Sequence, residues 1–191
     1  MSFDFRHWKS REYPCVLDSA KVAETQETLE ETMMTLNTMN TQRHSQPFKE
    51  ELTALLLQLS DTDDTTERWF KVQQMWMSLE SVFTGGDIAK QMPMEAKKFS
   101  QIDKGWVKIM QKSGETKMVV ACCQNDMLKQ MLPVLSWGLE TCQESLESYL
   151  EGRGIRSRAF TSPPTRCCSR SCRREATPRA SRRTLRSCST R

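Results

Sequence analysis

The chain has 191 residues and a formal net charge of +4, from 28 Lys and Arg against 24 Asp and Glu. That total combines two unlike parts. Residues 1–151 carry 16 Lys and Arg against 23 Asp and Glu, a net charge of −7, whereas residues 152–191 carry 12 Arg, no Lys and one acid, Glu175, a net charge of +11. No stretch approaches the roughly 18 apolar residues of a membrane span, and no secretory signal precedes the eight cysteines. We therefore expect a soluble protein whose cysteines are free thiols in a reducing compartment.

Charge and composition divide the chain at residue 152. The first 151 residues are long enough for one domain and contain the Leu, Met, Trp and Phe for a hydrophobic core. Residues 1–17 show no assignable pattern. Residues 152–191 are rich in Arg, Ser and Cys, and they have too few aliphatic side chains for their charge to fold alone. We expect this basic C-terminal tail to be disordered.

The first two predicted helices are amphipathic. One runs from about Ser19 to Thr41, and the other begins after a break at Pro47. Their apolar stripes are Val22, Leu29, Met33 and Leu36 in the first and Phe48, Leu52, Leu55, Leu56 and Leu59 in the second. Asp61, Asp63 and Asp64 suit the N-cap and first turn of a third helix, so we expect the second helix to end before them.

The third predicted helix contains two tryptophans in one apolar stripe. Its stripe residues, spaced by three and four, are Trp69, Val72, Trp76, Leu79 and Phe83. Lys71 and Glu80 lie off the stripe, so we expect both to tolerate replacement by Ala. Gly85-Gly86 follows at the position of a left-handed C-cap.

Two further long helices complete the pattern. The fourth begins after Pro93, and its stripe is Phe99, Ile102, Trp106 and Ile109 or Met110. A short apolar piece from about Met118 to Cys123 follows, and Asn125-Asp126 can cap the last helix. The last helix has a four-three seam of Leu128, Leu132, Leu135, Leu139, Cys142, Leu146 and Tyr149. Because no segment alternates with period two between hairpin turns, we expect no strands and an all-α, elongated antiparallel helical bundle.

Residues for catalysis or for binding a metal or cofactor are not apparent. No Gly-x-x-x-x-Gly-Lys-Ser/Thr loop is present, and the two histidines, His7 and His44, are too distant to build a catalytic triad. Cys122, Cys123 and Cys142 lack the Cys-x-x-Cys spacing of a zinc site and fall on apolar stripes, which favours buried thiols. We therefore expect no enzyme activity, metal or cofactor in this chain by itself.

The exact residues from Trp69 to Phe99 give more information than their helical periodicity. The helix Trp-x-x-x-x-x-x-Trp-x-x-Leu-Glu-x-x-Phe runs into Gly-Gly-Asp-Ile and then Gln-Met-Pro-Met-Glu. Ile102-Asp103-Lys104 and Tyr149-Leu150-Glu151 continue the same register. This pattern resembles the linker region of dynein heavy chains, most of all the axonemal outer-arm type. The resemblance covers about residues 18–151.

The resemblance implies a mechanical function. In dyneins the linker is a rod of helical subdomains that lies across the ring of ATPase modules and changes shape during nucleotide turnover. This chain would contain part of the rod and none of the ring, so alone it is expected neither to hydrolyse ATP nor to move on microtubules. The residues expected to stiffen it are Trp69, Trp76 and Phe83 on one helix, Gly85 and Gly86 as a fixed corner, and Phe99 and Trp106 as the receiving surface.

The resemblance also implies partners and a location. These are the rest of the heavy chain, the dynein intermediate and light chains, and microtubules, in the cytoskeleton of a ciliary or flagellar axoneme. The alternative is a generic helical scaffold or coiled-coil adaptor with a basic tail that binds nucleic acid. Phe160 is the only aromatic residue of that tail, which disfavours base stacking.

A shifted reading frame through the tail can restore the family's Phe-Pro-Arg and Leu-Leu-Glu continuation. Our hypothesis is therefore that the tail is translated from a shifted reading frame.

Overall fold

The computed structural model describes residues 1–9, 11–85 and 87–153. Within them, the predicted all-α class is confirmed: the fold consists of helices and one small sheet. The elements are β1 (Phe5–His7), β2 (Pro14–Leu17), α1 (Ser19–Thr41), a 3-10 helix (Arg43–Phe48), α2 (Lys49–Gly85), α3 (Ile88–Gln91), α4 (Pro93–Thr116), α5 (Val119–Cys123) and α6 (Asp126–Gly152). The predicted disorder of the tail concerns residues 154–191, which lie outside the described residues.

Helices α1 and α2 pack as an antiparallel pair joined by the 3-10 helix that contains Pro47. Helix α1 begins where predicted, and the Asp18 carboxylate caps it by accepting a hydrogen bond from the Ala20 amide at 3.1 Å. The residues that form the contact with α2 are aliphatic, and they are Leu29, Met33 and Leu36 on α1 with Leu52, Leu56 and Leu59 on α2. The stripes read from the sequence therefore face each other, except that the predicted members Phe48 and Leu55 are exposed, at 59% and 41%.

The predicted break between a second and a third helix is wrong, because α2 is one continuous helix of 37 residues. No Pro or Gly interrupts it before Gly85. The hydroxyls of Thr62 and Thr66 donate to the carbonyls four residues earlier, at 2.8 Å each. The hydrogen-bonding capacity of these side chains is therefore satisfied within the helix. Asp61 caps nothing and instead pairs with Lys129 of α6. The polar run thus turns its carboxylates outward or toward neighbouring helices without ending the helix.

Asp63, in that polar run, has an unfavourable electrostatic environment. One of its carboxylate oxygens, Oδ1, is buried and has no hydrogen-bond partner in the part of the chain that the structure describes. Burial, followed by the nearby carboxylates of Glu30, Asp64 and Glu67, raises the pKa of Asp63 above its ordinary value. A carboxyl whose pKa is raised on folding contributes stability only in its protonated form, and this contribution is lost as the pH rises through the raised value.

We therefore expect Asp63→Asn to stabilise the chain at neutral pH, because it removes a poorly solvated charge beside other carboxylates. Urea unfolding should show a higher midpoint for this variant at pH 7, and the gain should shrink as the pH is lowered toward about 4, the ordinary range of a carboxyl. Asp87→Asn is the matched control, since the Asp87 side chain is 83% exposed. A lower midpoint for Asp63→Asn at pH 7 would show that the carboxylate has a favourable partner.

Helices α4 and α6 pack closely as a second antiparallel pair. Two glycines permit the approach: a Cβ at Gly138 would lie 2.9 Å from Ile102 Cδ1, and one at Gly105 would lie 3.2 Å from Leu135 Cδ2. Asn125 caps α6 as predicted, with Oδ1 accepting from the Met127 amide at 3.0 Å. The predicted seam is confirmed, since all of its members except the half-buried Tyr149 are buried.

The expectation of no strands is wrong, because residues 5–17 form an antiparallel hairpin. Phe5 pairs with Leu17 and Arg6 with Val16, followed by a register shift before His7. The strands have three and four residues, too few for a period-two pattern to be visible. Buried Cys15, Val16 and Leu17 form an apolar run instead of an alternation. Residues 1–17 therefore belong to the same compact unit as the helices that follow.

A buried glutamine of α2 holds this hairpin in place. The Gln73 side chain accepts a hydrogen bond from the Leu17 amide at 2.6 Å and donates one to the Leu17 carbonyl at 3.0 Å. It thereby substitutes for a neighbouring strand. At the start of the chain, the Phe3 amide donates to the Lys117 carbonyl at 2.8 Å. The N-terminal segment is thus bonded to α2 and to the end of α4.

Candidate functional site

Two stacked pairs of aromatic rings join α2 to α4. The rings of Trp76 and Trp106 stack with centroids 5.6 Å apart and planes inclined by 23°. Two turns along α2, Phe83 stacks on Phe99 at 5.5 Å and 26°. All four side chains are buried. The sequence assigned them to two helices that face each other, and the structure brings these four predicted residues together.

Trp69 lies in a different contact from the one expected. Its ring is fully buried but meets the N-terminal segment: Phe3 packs edge-on at 5.4 Å, and Phe5 lies at 6.3 Å. Its indole Nε1 has no hydrogen-bond partner among the described residues. Trp69 therefore fixes residues 1–5 onto α2, and Trp76 and Phe83 fix α4.

Gly85 and Gly86 were predicted to form a fixed corner, and the structure describes the first of them, Gly85. Helix α2 ends at Gly85, as expected, and a side chain there would meet no atom within 4 Å. The left-handed geometry assigned to the pair depends on Gly86, which lies outside the described residues. The chain then enters the short helix α3 and passes Met92 into α4, whose first residue is Pro93.

An ionic cluster missed by the sequence analysis lies beside Trp76. The guanidinium of Arg11 donates to both carboxylate oxygens of Asp103, at 2.9 and 3.3 Å. Asp103 also accepts a hydrogen bond from the Trp76 indole at 3.1 Å, and Arg11 lies 5.0 Å from the centre of the Trp76 ring. One carboxylate of α4 thus holds the hairpin loop and α2 together. The contributing residues are about 90 positions apart at most, so no local spacing could reveal the cluster.

Glu80 extends this ionic cluster, and the expectation that it lies on a tolerant surface is wrong. Its side chain is 5% exposed and accepts hydrogen bonds from Lys9 at 2.5 Å and from the Trp8 indole at 3.1 Å. Burial favours the neutral carboxyl, but the hydrogen bonds from Lys9 and Trp8 outweigh it and hold the pKa of Glu80 below its ordinary value. The resulting stability is present above the ordinary carboxyl pKa and is lost as the pH falls through the lowered one.

The described cysteines are buried thiols. Cys15, Cys122, Cys123 and Cys142 are all free, and burial raises the pKa of Cys122 and Cys123 to about 11. A thiol with so high a pKa is a poor nucleophile and metal ligand at neutral pH. Within the described residues no group of three or more His, Cys, Asp or Glu side chains is arranged to hold a metal. None of the described helices is both long and apolar enough to span a membrane.

The contacts described above define an α-helical packing unit in which stacked rings and a partly buried ion pair fix an N-terminal hairpin, α2 and α4 to one another. Residues 1–156 match the family model for the dynein heavy chain, N-terminal region 2. The chain belongs to the dynein heavy chain family. The match begins before Asp18 and so includes the hairpin.

Curated relatives agree with the family model. The chain is 44% identical to the dynein gamma chain of the flagellar outer arm of Chlamydomonas reinhardtii over 149 residues, which is 78% of this chain and 3% of that relative. It is 43% identical to dynein axonemal heavy chain 8 of Mus musculus over 128 residues, 66% of this chain and 3% of that one. It is 44% identical to dynein axonemal heavy chain 5 of Mus musculus over 129 residues, 67% of this chain and 3% of that one.

These relatives confirm the resemblance read from the sequence. Each is a flagellar or axonemal heavy chain, which agrees with the expected axonemal type and location. The chain spans only about 3% of the length of each relative described above.

Proposed function

We propose that this chain is a segment of the linker of an axonemal dynein heavy chain and that its function is mechanical. The observation that carries the proposal is the continuous helix α2, which is bonded to other elements along its whole length. Its N-terminal part packs on α1, Asp61 near its middle pairs with Lys129 of α6, and its C-terminal part contacts the hairpin and α4. At 1.5 Å per residue, its 37 residues span about 55 Å. A helix fixed at so many points can transmit force along its axis.

The chemistry of the contacts favours stiffness. Aromatic rings have few rotatable bonds, so the stacked pairs Trp76 with Trp106 and Phe83 with Phe99 restrict the two helices at low cost in side-chain entropy. The bidentate Arg11–Asp103 pair fixes orientation as well as distance. Trp69 attaches the start of the chain, and α2 ends at Gly85 before the short helix α3 begins. Under this proposal, relative motion occurs between this unit and other parts of the heavy chain.

The proposed setting is an axonemal motor complex. The stroke would originate in an ATPase ring elsewhere in the heavy chain and reach this segment through its neighbours in the linker. The heavy-chain tail, the intermediate and light chains and the microtubule would be partners of the whole motor. The 191 residues by themselves are proposed to lack ATPase activity. A generic scaffold or a nucleic-acid-binding protein is disfavoured because 156 of the residues match a motor family.

Arg11→Gln in an intact heavy chain tests the proposal. This change separates the hairpin from Asp103 without emptying the aromatic core, so we expect slower microtubule gliding with basal ATP hydrolysis retained. Arg43→Gln is the matched control, because Arg43 is exposed and forms no ion pair among the described residues. Equal gliding velocities for the two variants would contradict a force-transmitting role.

ATP binding by the isolated chain, seen as a thermal shift, would contradict the purely mechanical assignment.

A further inference from the structure

An apolar surface of α6 has no partner in the described unit. Trp137 is 71% exposed and Val134, one turn before it, is 61% exposed. Trp137 lies two residues from both Leu135 and Leu139, about 200° around the helix from each of these buried side chains. It therefore points away from the core that α6 forms with α2 and α4. We define the outer face of α6 as Val134, Trp137, Glu140 and Glu144, which are all exposed.

Exposure of this kind is unusual for tryptophan. The other indole side chains of α2 and α4 are fully buried, as expected for the largest apolar side chain. Tryptophan is enriched among the residues that carry most of the binding energy at protein interfaces, where it enters a pocket on the partner. The aliphatic side chain of Val134 beside it enlarges the apolar contact. The combination is typical of the anchor of a docking surface.

The charge around this anchor indicates the chemistry of its partner. Following Trp137, α6 exposes Glu140, Glu144 and Glu151. Between residues 134 and 152 there is no Lys or Arg, and none of these three glutamates forms an ion pair among the described residues. A second copy of the same face would bring like charges together, which disfavours a symmetric dimer through this surface. A complementary partner presents an apolar pocket next to Lys or Arg side chains.

We propose that the outer face of α6 docks a basic segment of the same heavy chain that lies outside these 191 residues. This inference rests on the proposed function. The matched part is only about 3% of the relatives' length, so a heavy chain carries a large amount of covalently attached surface that is absent here. Attachment makes docking intramolecular and raises the effective concentration of the partner segment. Trp137 supplies the apolar contact, and Glu140 and Glu144 select a cationic partner.

Photo-cross-linking in an intact heavy chain tests the docking. We would replace Trp137 by p-benzoylphenylalanine, irradiate the purified motor and identify the cross-linked peptide by mass spectrometry. The expected product is an intramolecular cross-link to a heavy-chain peptide rich in Lys or Arg and outside the present sequence. No cross-link, or one to residues 154–191, to another polypeptide or to a second copy, would overturn the proposal. The exposed position makes the replacement compatible with folding, which a urea melt of the 191-residue chain would verify.

A charge reversal provides the specific control. Glu140→Lys combined with Glu144→Lys should lower the yield of the cross-link several-fold. Glu27→Lys with Glu31→Lys reverses two exposed glutamates at the same four-residue spacing on α1, and it should leave the yield unchanged. Equal yields for both pairs would overturn the charge selection. Because gliding of the Arg11→Gln variant is measured separately, a missing cross-link in a motor that responds to Arg11→Gln refutes the docking and leaves the mechanical function intact.

Discussion

Trp76→Ala is expected to lower the free energy of unfolding by about 3–5 kcal/mol, the usual cost of removing a large aromatic side chain from a core. Trp76 is fully buried, stacks on Trp106, and donates its indole hydrogen to Asp103. Its loss leaves a cavity between α2 and α4 and removes one bond to the carboxylate that holds Arg11. Urea unfolding of the purified chain, followed by far-ultraviolet circular dichroism, measures the change.

Lys71→Ala on the same helix is the control. Lys71 is exposed on α2, so replacement is expected to change the free energy by about 0.5 kcal/mol or less. Glu80 does not serve as a second surface control, because it is buried against Lys9 and Trp8. A Trp76→Ala variant as stable as Lys71→Ala would mean that the stacked rings do not hold the unit together.

Asp103→Ala is expected to cost about 2–4 kcal/mol, more than an ordinary exposed ion pair, because its partners are poorly solvated. Arg11 is 19% exposed, donates its two hydrogen bonds to a carboxylate to Asp103, and lies farther from Glu80, at 3.8 Å. Without Asp103, the guanidinium and the Trp76 indole both lose an acceptor. The same urea experiment measures this loss, and Asp103→Asn should recover part of it by keeping one acceptor oxygen for these donors.

Asp87→Ala provides the comparison for Asp103. Asp87 also pairs with a cation, Lys90 at 3.4 Å, but both side chains are 83% exposed. Water replaces such a partner readily, so the unfolding midpoint should remain that of the unchanged chain. If both aspartate variants melted at the same urea concentration, the Arg11–Asp103 pair would have no structural role.

Patterns within single helices could be predicted because they arise from local geometry. The 3.6-residue period alone placed Trp76 and Phe83 on one face of α2 and Trp106 and Phe99 on one face of α4, and the structure pairs these faces. The same period identified the seam of α6. The Asn125 cap was predictable for a similar reason, since its side chain bonds an amide only two residues away.

Features that depend on distant partners could not be predicted in this way. The three aspartates from Asp61 to Asp64 resemble a cap, but packing against α1 and α6 keeps α2 helical through them. Glu80 is polar and off the stripe, and only the hairpin loop buries it. Trp69 was expected in the contact with α4, whereas residues 1–5 cover it.

The sequence by itself determined the helical class and the buried stripes. The exact residues between Trp69 and Phe99 also determined the dynein heavy chain family. Only the tertiary structure decided that residues 1–17 form a hairpin and where that hairpin lies. The physical reason is that a strand of three or four residues has no stability of its own. Its backbone groups become satisfied only when Gln73 of α2 binds Leu17 and the Trp106 indole donates to the Cys15 carbonyl at 3.0 Å.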